Sequence, residues 1–257
     1  MTATAVALNR RSGGAGGNHL VLLHGLGATG EVWGPLVALV EKEADWRWTA
    51  PDLRGHGRSP WAAPYDPMTL ANDVAHLPVM ESEAERLVIL GHSLGGVVAL
   101  TQASGLSGVQ PTTALALGVK VAWTADELAR MAALSGAAPK VFDTREAAIE
   151  RYLKVSGLWG LVTGDDPIAT AGVAPADGGW RLAMDPRVNG VGAPDMQALL
   201  AKARCPVHLA RGEYDALVTA EQLRGHDGAA VDLPGLGHNA MVEAPRPVWD
   251  WVRGRLA

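Results

Sequence analysis

Leu87-Val88-Ile89-Leu90-Gly91-His92-Ser93-Leu94-Gly95-Gly96-Val97-Val98-Ala99-Leu100 is the stretch on which the reading of the whole chain turns. Its first four residues are aliphatic, a run that predicts a buried strand. Gly91 ends the run, Ser93 follows, and a second apolar run beyond Gly95 suits a helix. Gly-x-Ser-x-Gly between a strand and a helix places the serine on a turn so sharp that a positive φ is expected. The chain on either side passes so close that side chains at Gly91 and Gly95 would collide, which calls for glycine. The serine hydroxyl is then held clear at the end of the strand. The Leu94 N–H faces the same space, near the start of the helix.

Outward from this stretch, size and composition set the class. The chain has 257 residues, 48% hydrophobic and 19% charged, enough apolar mass for one large α/β domain or one domain with an insertion. A net charge of −5 without any block of like charges argues against a nucleic acid or an anionic membrane surface as partner. The single cysteine, Cys205, rules out a disulfide within the chain and makes a reducing, cytoplasmic setting the expectation. It precedes Pro206 at the entry to an apolar strand with no neighbour to activate it, so it reads as a buried structural thiol. Met1 to Leu8 lacks a basic leader and a long apolar stretch, and the most apolar run, Leu87 to Leu100, is broken by His92 and Ser93. Neither a secretory signal nor a membrane span is expected.

Strands and helices alternate from Leu20 to about Lys120, the signature of βαβ units and a parallel sheet. Strands are expected at Leu20–Leu23, Trp46–Thr49, Leu87–Leu90 and Thr113–Val119, with helices near Val32–Glu43, Thr69–Met80 and after Ser93. Thr2–Leu8 reads as an edge strand, and the glycine-rich Ser12–Gly17 as a mobile turn. The alternation then stops. Thr124-Ala125-Asp126-Glu127 looks like a capping box opening a helix to about Leu134, and Thr144 opens another through Lys154. Gly157–Gly192 is rich in Gly, Pro, Asp and Trp without strand periodicity. Residues 123–192 are therefore read as a mainly helical cap inserted into a core of residues 1–122 and 193–257. The sheet pattern resumes at Pro206–Ala210 and Ala229–Leu233, each followed by a helix.

A serine hydroxyl needs a base within hydrogen-bond reach, and the base needs an orienting acid. In open parallel sheets, chemistry lies beyond the carboxyl ends of the strands. His24, Asp52, Ser93, Asp215 and His238 all fall there, giving Ser93, Asp215 and His238 in the chain order expected for this turn. Glu213 and Asp232 compete with Asp215 for the role of acid. His19, His76, His208 and His226 are scattered without metal-ligand spacing, so neither a metal nor another cofactor is expected.

The chain resembles the α/β-hydrolase family in its capped, single-domain branch. His24-Gly25 matches the family's oxyanion strand end, Asp52-Leu53-Arg54-Gly55-His56-Gly57-Arg58-Ser59 its arginine-glycine loop, and Gly91-His92-Ser93-Leu94-Gly95-Gly96 its nucleophile elbow. Arg211-Gly212-Glu213-Tyr214-Asp215 matches its acid loop and Gly237-His238 its histidine loop. The family often opens with a β-hairpin, whereas here there is room for little more than one strand. The resemblance implies a mostly parallel sheet flanked by helices. It also implies a serine nucleophile at Ser93, an oxyanion hole from the backbone N–H groups of Leu26 and Leu94, and water as co-substrate. It gives Asp52, Arg54 and His56 no chemical step; they are expected to brace a loop, with His24 structural and His92 shaping the turn beside the nucleophile. A serine argues against the dehalogenases and epoxide hydrolases of the family, which use a carboxylate there. A carboxylic ester or lactone is the favoured substrate. A thioester, a carbon–carbon bond, or a non-catalytic receptor for a small ligand remain the alternatives. Trp123 and Trp159 are the leading candidates to line the pocket beneath the cap, with Phe142, Tyr152 and Trp180 behind them; the competing reading is that such aromatics fill the space between cap and sheet.

Overall fold

A computed structural model describes residues 3–81 and 84–256. In chain order the first half runs β1 (Arg10–Gly14), β2 (Asn18–Leu23), α1 (Gly34–Val40), β3 (Trp46–Pro51), α2 (Pro67–Ala75), β4 (Arg86–His92), α3 (Leu94–Ala103) and β5 (Thr113–Leu117). After β5 come α4 (Ala125–Ser135), α5 (Arg145–Val155), α6 (Pro167–Ala171), a hairpin of β6 (Val173–Ala176) and β7 (Gly179–Leu182), a 3-10 turn at Pro186–Gly190, and α7 (Met196–Ala201). The chain then returns through β8 (Val207–Gly212), α8 (Ala220–His226), β9 (Val231–Leu233), α9 (Ala240–Glu243) and α10 (Pro245–Gly254).

The main sheet has seven strands in the order β1-β3-β2-β4-β5-β8-β9, and only β1 runs antiparallel to its neighbour. From β2 the chain steps outward to β3, then crosses back to β4 on the other side. The crevice at such a reversal, beyond the strand ends, is where open sheets of this kind place their ligands. Here it is bounded by His24–Leu26 after β2 and by Ser93 after β4.

Both faces of the sheet are covered, which is why the central strands read as unbroken apolar runs. Leu20 and Leu22 of β2, Val88 and Leu90 of β4, and Leu115 and Leu117 of β5 face the core built with α1 and α10. The alternate residues Val21, Leu23 and Ile89 face α2 and α3, and Ala116 packs with Val97 and Leu100 of α3. That alternation is the two-residue period of a pleated strand.

Three sequence expectations change. The edge strand is Arg10–Gly14 rather than Thr2–Leu8, so Ser12–Gly14 is paired strand, not a mobile turn; Thr2 lies outside the described residues. The glycines there permit close approach. A Cβ on Gly13 would meet the Trp48 indole nitrogen at 2.8 Å, and one on Gly16 would stand 1.9 Å from the Asp45 carbonyl carbon. The second change is the β6–β7 hairpin within a stretch that carried no strand periodicity. The third is the closing helix, which is split into α9 and α10 where Ala244 turns extended before Pro245. The capping box at Thr124 and Glu127 is present as read, with both reciprocal hydrogen bonds made. Among the described residues no helix is long and apolar enough to cross a membrane.

Candidate active site

Ser93 has φ 50° and ψ −113°, and it is the one non-glycine residue with positive φ among those described. The reason is visible at both flanking glycines. A Cβ on Gly91 would stand 2.0 Å from the Gly95 carbonyl oxygen, and one on Gly95 would stand 2.2 Å from the carbonyl oxygen of Leu23. Such distances exclude any side chain. The strained residue is tied down by its own N–H, which donates to Leu117 O at the end of β5 (2.9 Å). Strain of this kind persists only where the surroundings over-determine it.

The candidate acid and base, Asp215 and His238, come from the loops after β8 and β9. His238 Nδ1 donates to Asp215 Oδ2 at 2.8 Å, with the carboxylate fully buried and the imidazole one-fifth exposed. The second carboxylate oxygen of Asp215 accepts from the Leu217 N–H (2.8 Å). The rivals for the acid are occupied elsewhere. Glu213 accepts from the Gly235 N–H, and Asp232 pairs with Arg211 and Arg224. Arg211 was not singled out in the sequence, yet it organises the acid loop. Its guanidinium donates to the carbonyls of Glu213, Asp215 and Val218 while Asp232 holds it from behind. Gly118 is a second residue that sequence reasoning passed over. Its φ is +59°, and a Cβ there would come within 3.1 Å of Asp215 Oδ2 and 3.2 Å of His238 Nδ1. The signal was available, since Gly118 falls inside the expected strand Thr113–Val119, and a glycine within a strand marks a place where something approaches the backbone closely.

The Leu26 and Leu94 N–H groups donate to no acceptor among the described residues. Leu94 is the first residue of α3, where intrahelical partners are lacking and the helix dipole favours negative charge. The Leu26 segment is held by two buried histidines. His24 Nδ1 donates to Gly25 O (2.8 Å) and its Nε2 accepts from the Leu53 N–H (2.9 Å). His56 Nδ1 donates to Arg54 O (3.1 Å) and its Nε2 accepts from the Gly27 N–H (3.1 Å). Each must be neutral for its Nε2 to accept that hydrogen bond, and burial lowers both pKa values, that of His56 to about 3. Around them, Asp52 takes the N–H groups of Gly30 and Arg58, and Arg54 makes a buried, two-pronged pair with Asp73 at 2.6 Å. These residues brace the loop and lie one step back from Ser93.

Ser93, Leu26 and Leu94 open on one cavity of about 400 Å³. Its remaining wall comes largely from Trp123 and from α4, through Glu127, Arg130, Met131 and Leu134. Glu127 pairs with Lys120, which also lines the cavity. Trp159 requires a correction: it is 58% exposed and sits on a different surface depression with Arg145 and Glu146, beneath the Lys154 ammonium. The turn after α5 sends it outward. The N–H groups of Leu158 and Trp159 both reach Leu153 O, which buries Leu158 completely and leaves Trp159 in solvent. Tyr152 is packed inside the insertion against Gly172, and Phe142 joins Trp180 by a reciprocal pair of backbone hydrogen bonds; none of the three lines the cavity at Ser93. Among the described residues no group of three or more His, Cys, Asp or Glu is placed to hold a metal ion.

The sequence model of the Alpha/beta hydrolase family matches residues 20–251. Lipase LipV of Mycobacterium tuberculosis is 32% identical over 184 residues, covering 68% of this chain and 66% of that protein. A pimeloyl-[acyl-carrier protein] methyl ester esterase of Edwardsiella ictaluri is 28% identical over 247 residues, covering 91% of each. Among solved structures, E-2-(acetamidomethylene)succinate hydrolase superposes with a TM-score of 0.79 at 23% identity, covering 97% of this chain and 94% of that one.

Two outcomes are expected from this geometry. Burial lowers the pKa of His19 to about 4, that of His56 to about 3, and those of His24 and His92 as well. In the unfolded chain each would bind a proton near pH 6.5, so the unfolded state gains protons that the native state refuses and stability falls as pH drops below that value. His56 alone accounts for about 2 kcal/mol between pH 7 and pH 5. Thermal melts across pH 7 to 4.5 should show a steep fall, and a flat melting temperature would contradict the neutral-histidine assignment. Trp123→Ala should weaken the binding of apolar small molecules in the cavity at Ser93 and change their ranking, as expected when a wall contact is lost. A melting temperature lowered as by a core cavity of roughly 3–5 kcal/mol, with an unchanged ranking, would show a packing role instead.

Proposed function

Because the chain belongs to the Alpha/beta hydrolase family, we propose that it is a serine hydrolase that cleaves a carboxylic ester or lactone through an acyl-enzyme. The observation that carries this reading is the strained Ser93 opening on the same cavity as two unengaged backbone N–H groups. His238 already stands in the tautomer set by Asp215.

With Nδ1–H committed to Asp215, His238 Nε2 is the basic atom. It takes the Ser93 proton as Oγ attacks the substrate carbonyl, and the oxyanion that forms accepts hydrogen bonds from the Leu26 and Leu94 N–H groups. The imidazolium gives its proton to the departing alkoxide. Water then enters, loses a proton to His238, and attacks the Ser93 ester; collapse of the second oxyanion frees the acid and restores the hydroxyl. Asp215 holds the imidazole in place throughout. The apolar lining from Leu26, Val97, Trp123, Met131, Leu134 and Val191 suits an apolar acyl or alcohol group. The activities named for the two relatives, a lipase and a methyl ester esterase, agree with ester chemistry.

A fluorophosphonate probe followed by turnover on a panel of esters and lactones tests the proposal. Labelling at Ser93 and turnover are expected, and both should vanish in Ser93→Ala, with a loss on the order of a thousandfold or more. A wild-type protein that binds esters yet neither labels nor turns them over would instead be a receptor. Asp215→Asn should cut kcat by roughly 10⁴, because the amide favours the wrong histidine tautomer. Glu213→Gln should change it little, and the reverse ranking would move the acid to Glu213.

A further inference from the structure

His92 has no step in the chemistry above, yet its surroundings are those of a working part. It ends β4, directly before Ser93, and its ring is buried. Nε2 donates to the backbone carbonyl of His238 at 2.9 Å. Nδ1 is buried and has no partner among the described residues. That edge of the ring faces Gly25, where a Cβ would stand 2.9 Å from Nδ1 and 3.3 Å from the neighbouring ring carbon. The imidazole thus fills the gap between the backbone of the oxyanion segment and the backbone of the base.

We propose that His92 is a positioning residue: its neutral imidazole spans Gly25 and the His238 carbonyl, and so sets the separation between the oxyanion segment and the base. This rests on the serine-hydrolase reading. A buried ring nitrogen without a partner is a cost that an apolar side chain of similar bulk would avoid. The N–H to the His238 carbonyl is what such a replacement would forfeit. Asp215 orients the His238 ring through Nδ1, whereas His92 fixes the main chain from which that ring hangs. A catalytic group displaced by about 1 Å can lose on the order of a hundredfold in rate. Neutrality matters as well. The two rings lie 4.6 Å apart between centroids, so a charged His92 would oppose the positive charge that His238 acquires during each proton transfer. Full burial holds the His92 pKa well below its ordinary value, and a charged His238 pushes it the same way.

The test compares full-length His92→Leu, His92→Gln and His92→Asn with the wild type, using a p-nitrophenyl ester, the labelling rate of a fluorophosphonate, and thermal melts. Gln keeps an N–H donor at about the reach of Nε2; Asn keeps the amide but falls short. The Leu and Asn variants should lose kcat by roughly tenfold to a hundredfold with KM within about twofold, and labelling should slow in step. His92→Gln should recover most of the rate, whatever the order of the melting temperatures. Wild-type kcat in His92→Leu, equal losses in Gln and Asn, or losses that merely follow melting temperature would overturn the proposal. If His92→Leu does not fold, the Gln and Asn pair decides it by the same criterion. A wild-type protein that neither labels nor turns over esters would fail at an earlier point, removing the serine-hydrolase reading and the role of His92 with it.

Discussion

The close crossing of the first turn of α3 over the end of β2 is the contact on which the rest of the structure depends. Gly95 lies so near the Leu23 carbonyl, and Gly91 so near the Gly95 carbonyl, that only hydrogen fits at either α-carbon. Three consequences come from one steric fact. The turn between β4 and α3 must be tight, Ser93 must take a positive φ, and the free N–H at the head of α3 must lie beside the segment that follows β2. The hydrogen bond from Ser93 N to Leu117 O then links the turn to β5, and Gly118, one residue on, leaves space for Asp215 and His238. Sheet, elbow and the Asp215–His238 pair are therefore registered against one another through close backbone approaches. Backbone contacts of this kind leave little freedom to relax, which is how the strain at Ser93 is maintained.

Around this frame the protein uses neutral imidazoles where other buried polar groups would bring charge. His24 and His56 stand edge to face at 4.9 Å, and each joins one donor and one acceptor of the backbone across a loop. An imidazole does this in a single rigid ring without leaving an ion in a low-dielectric site. Ionic groups stand beside them, at Asp52 and at the buried, paired Arg54 and Asp73, where they fasten the loop that carries His56.

What could be read from the chain alone follows from which constraints are local. The strand–Gly–x–Ser–x–Gly–helix stretch carries its own steric explanation, so its geometry was legible, as were the strand-end positions of Asp215 and His238. The parallel sheet was legible because strands buried on both faces are apolar without interruption. The edge strand was misplaced because Ser12–Gly14 owes its pairing to the Trp48 surface it lies on, and glycine alone reads as a turn. Trp159 and Tyr152 illustrate the same limit in the insertion. Both are large aromatics seven residues apart, and only the turn at Leu153 decides that one is buried and the other exposed. Arg211 was invisible in its role because three of its four partners are carbonyls, and carbonyls leave no mark in a sequence.

Residues 142–192 are stitched to the bracing loop at 54–57 and to the loop that carries His238. Gly57 N reaches Ala183 O, Asp185 N reaches Gly55 O, and the Tyr65 hydroxyl donates to the Asp185 carboxylate that Arg187 also grips. Asn239, next to His238, donates to the carbonyls of Ser156 and Gly157 after α5. In contrast α4 buries none of its own residues. For protein engineering this divides residues 123–192 into two kinds of part. A graft from a relative that replaced residues 183–187 without Tyr65 and the 54–57 loop would unseat the Leu26 segment that His56 holds from that loop. The exchangeable module is α4, bounded by its capping box at Thr124 and by the close approach of Ser135 to Gly190, and the wall of the cavity can be rewritten there while the elbow at Ser93 is left as it stands.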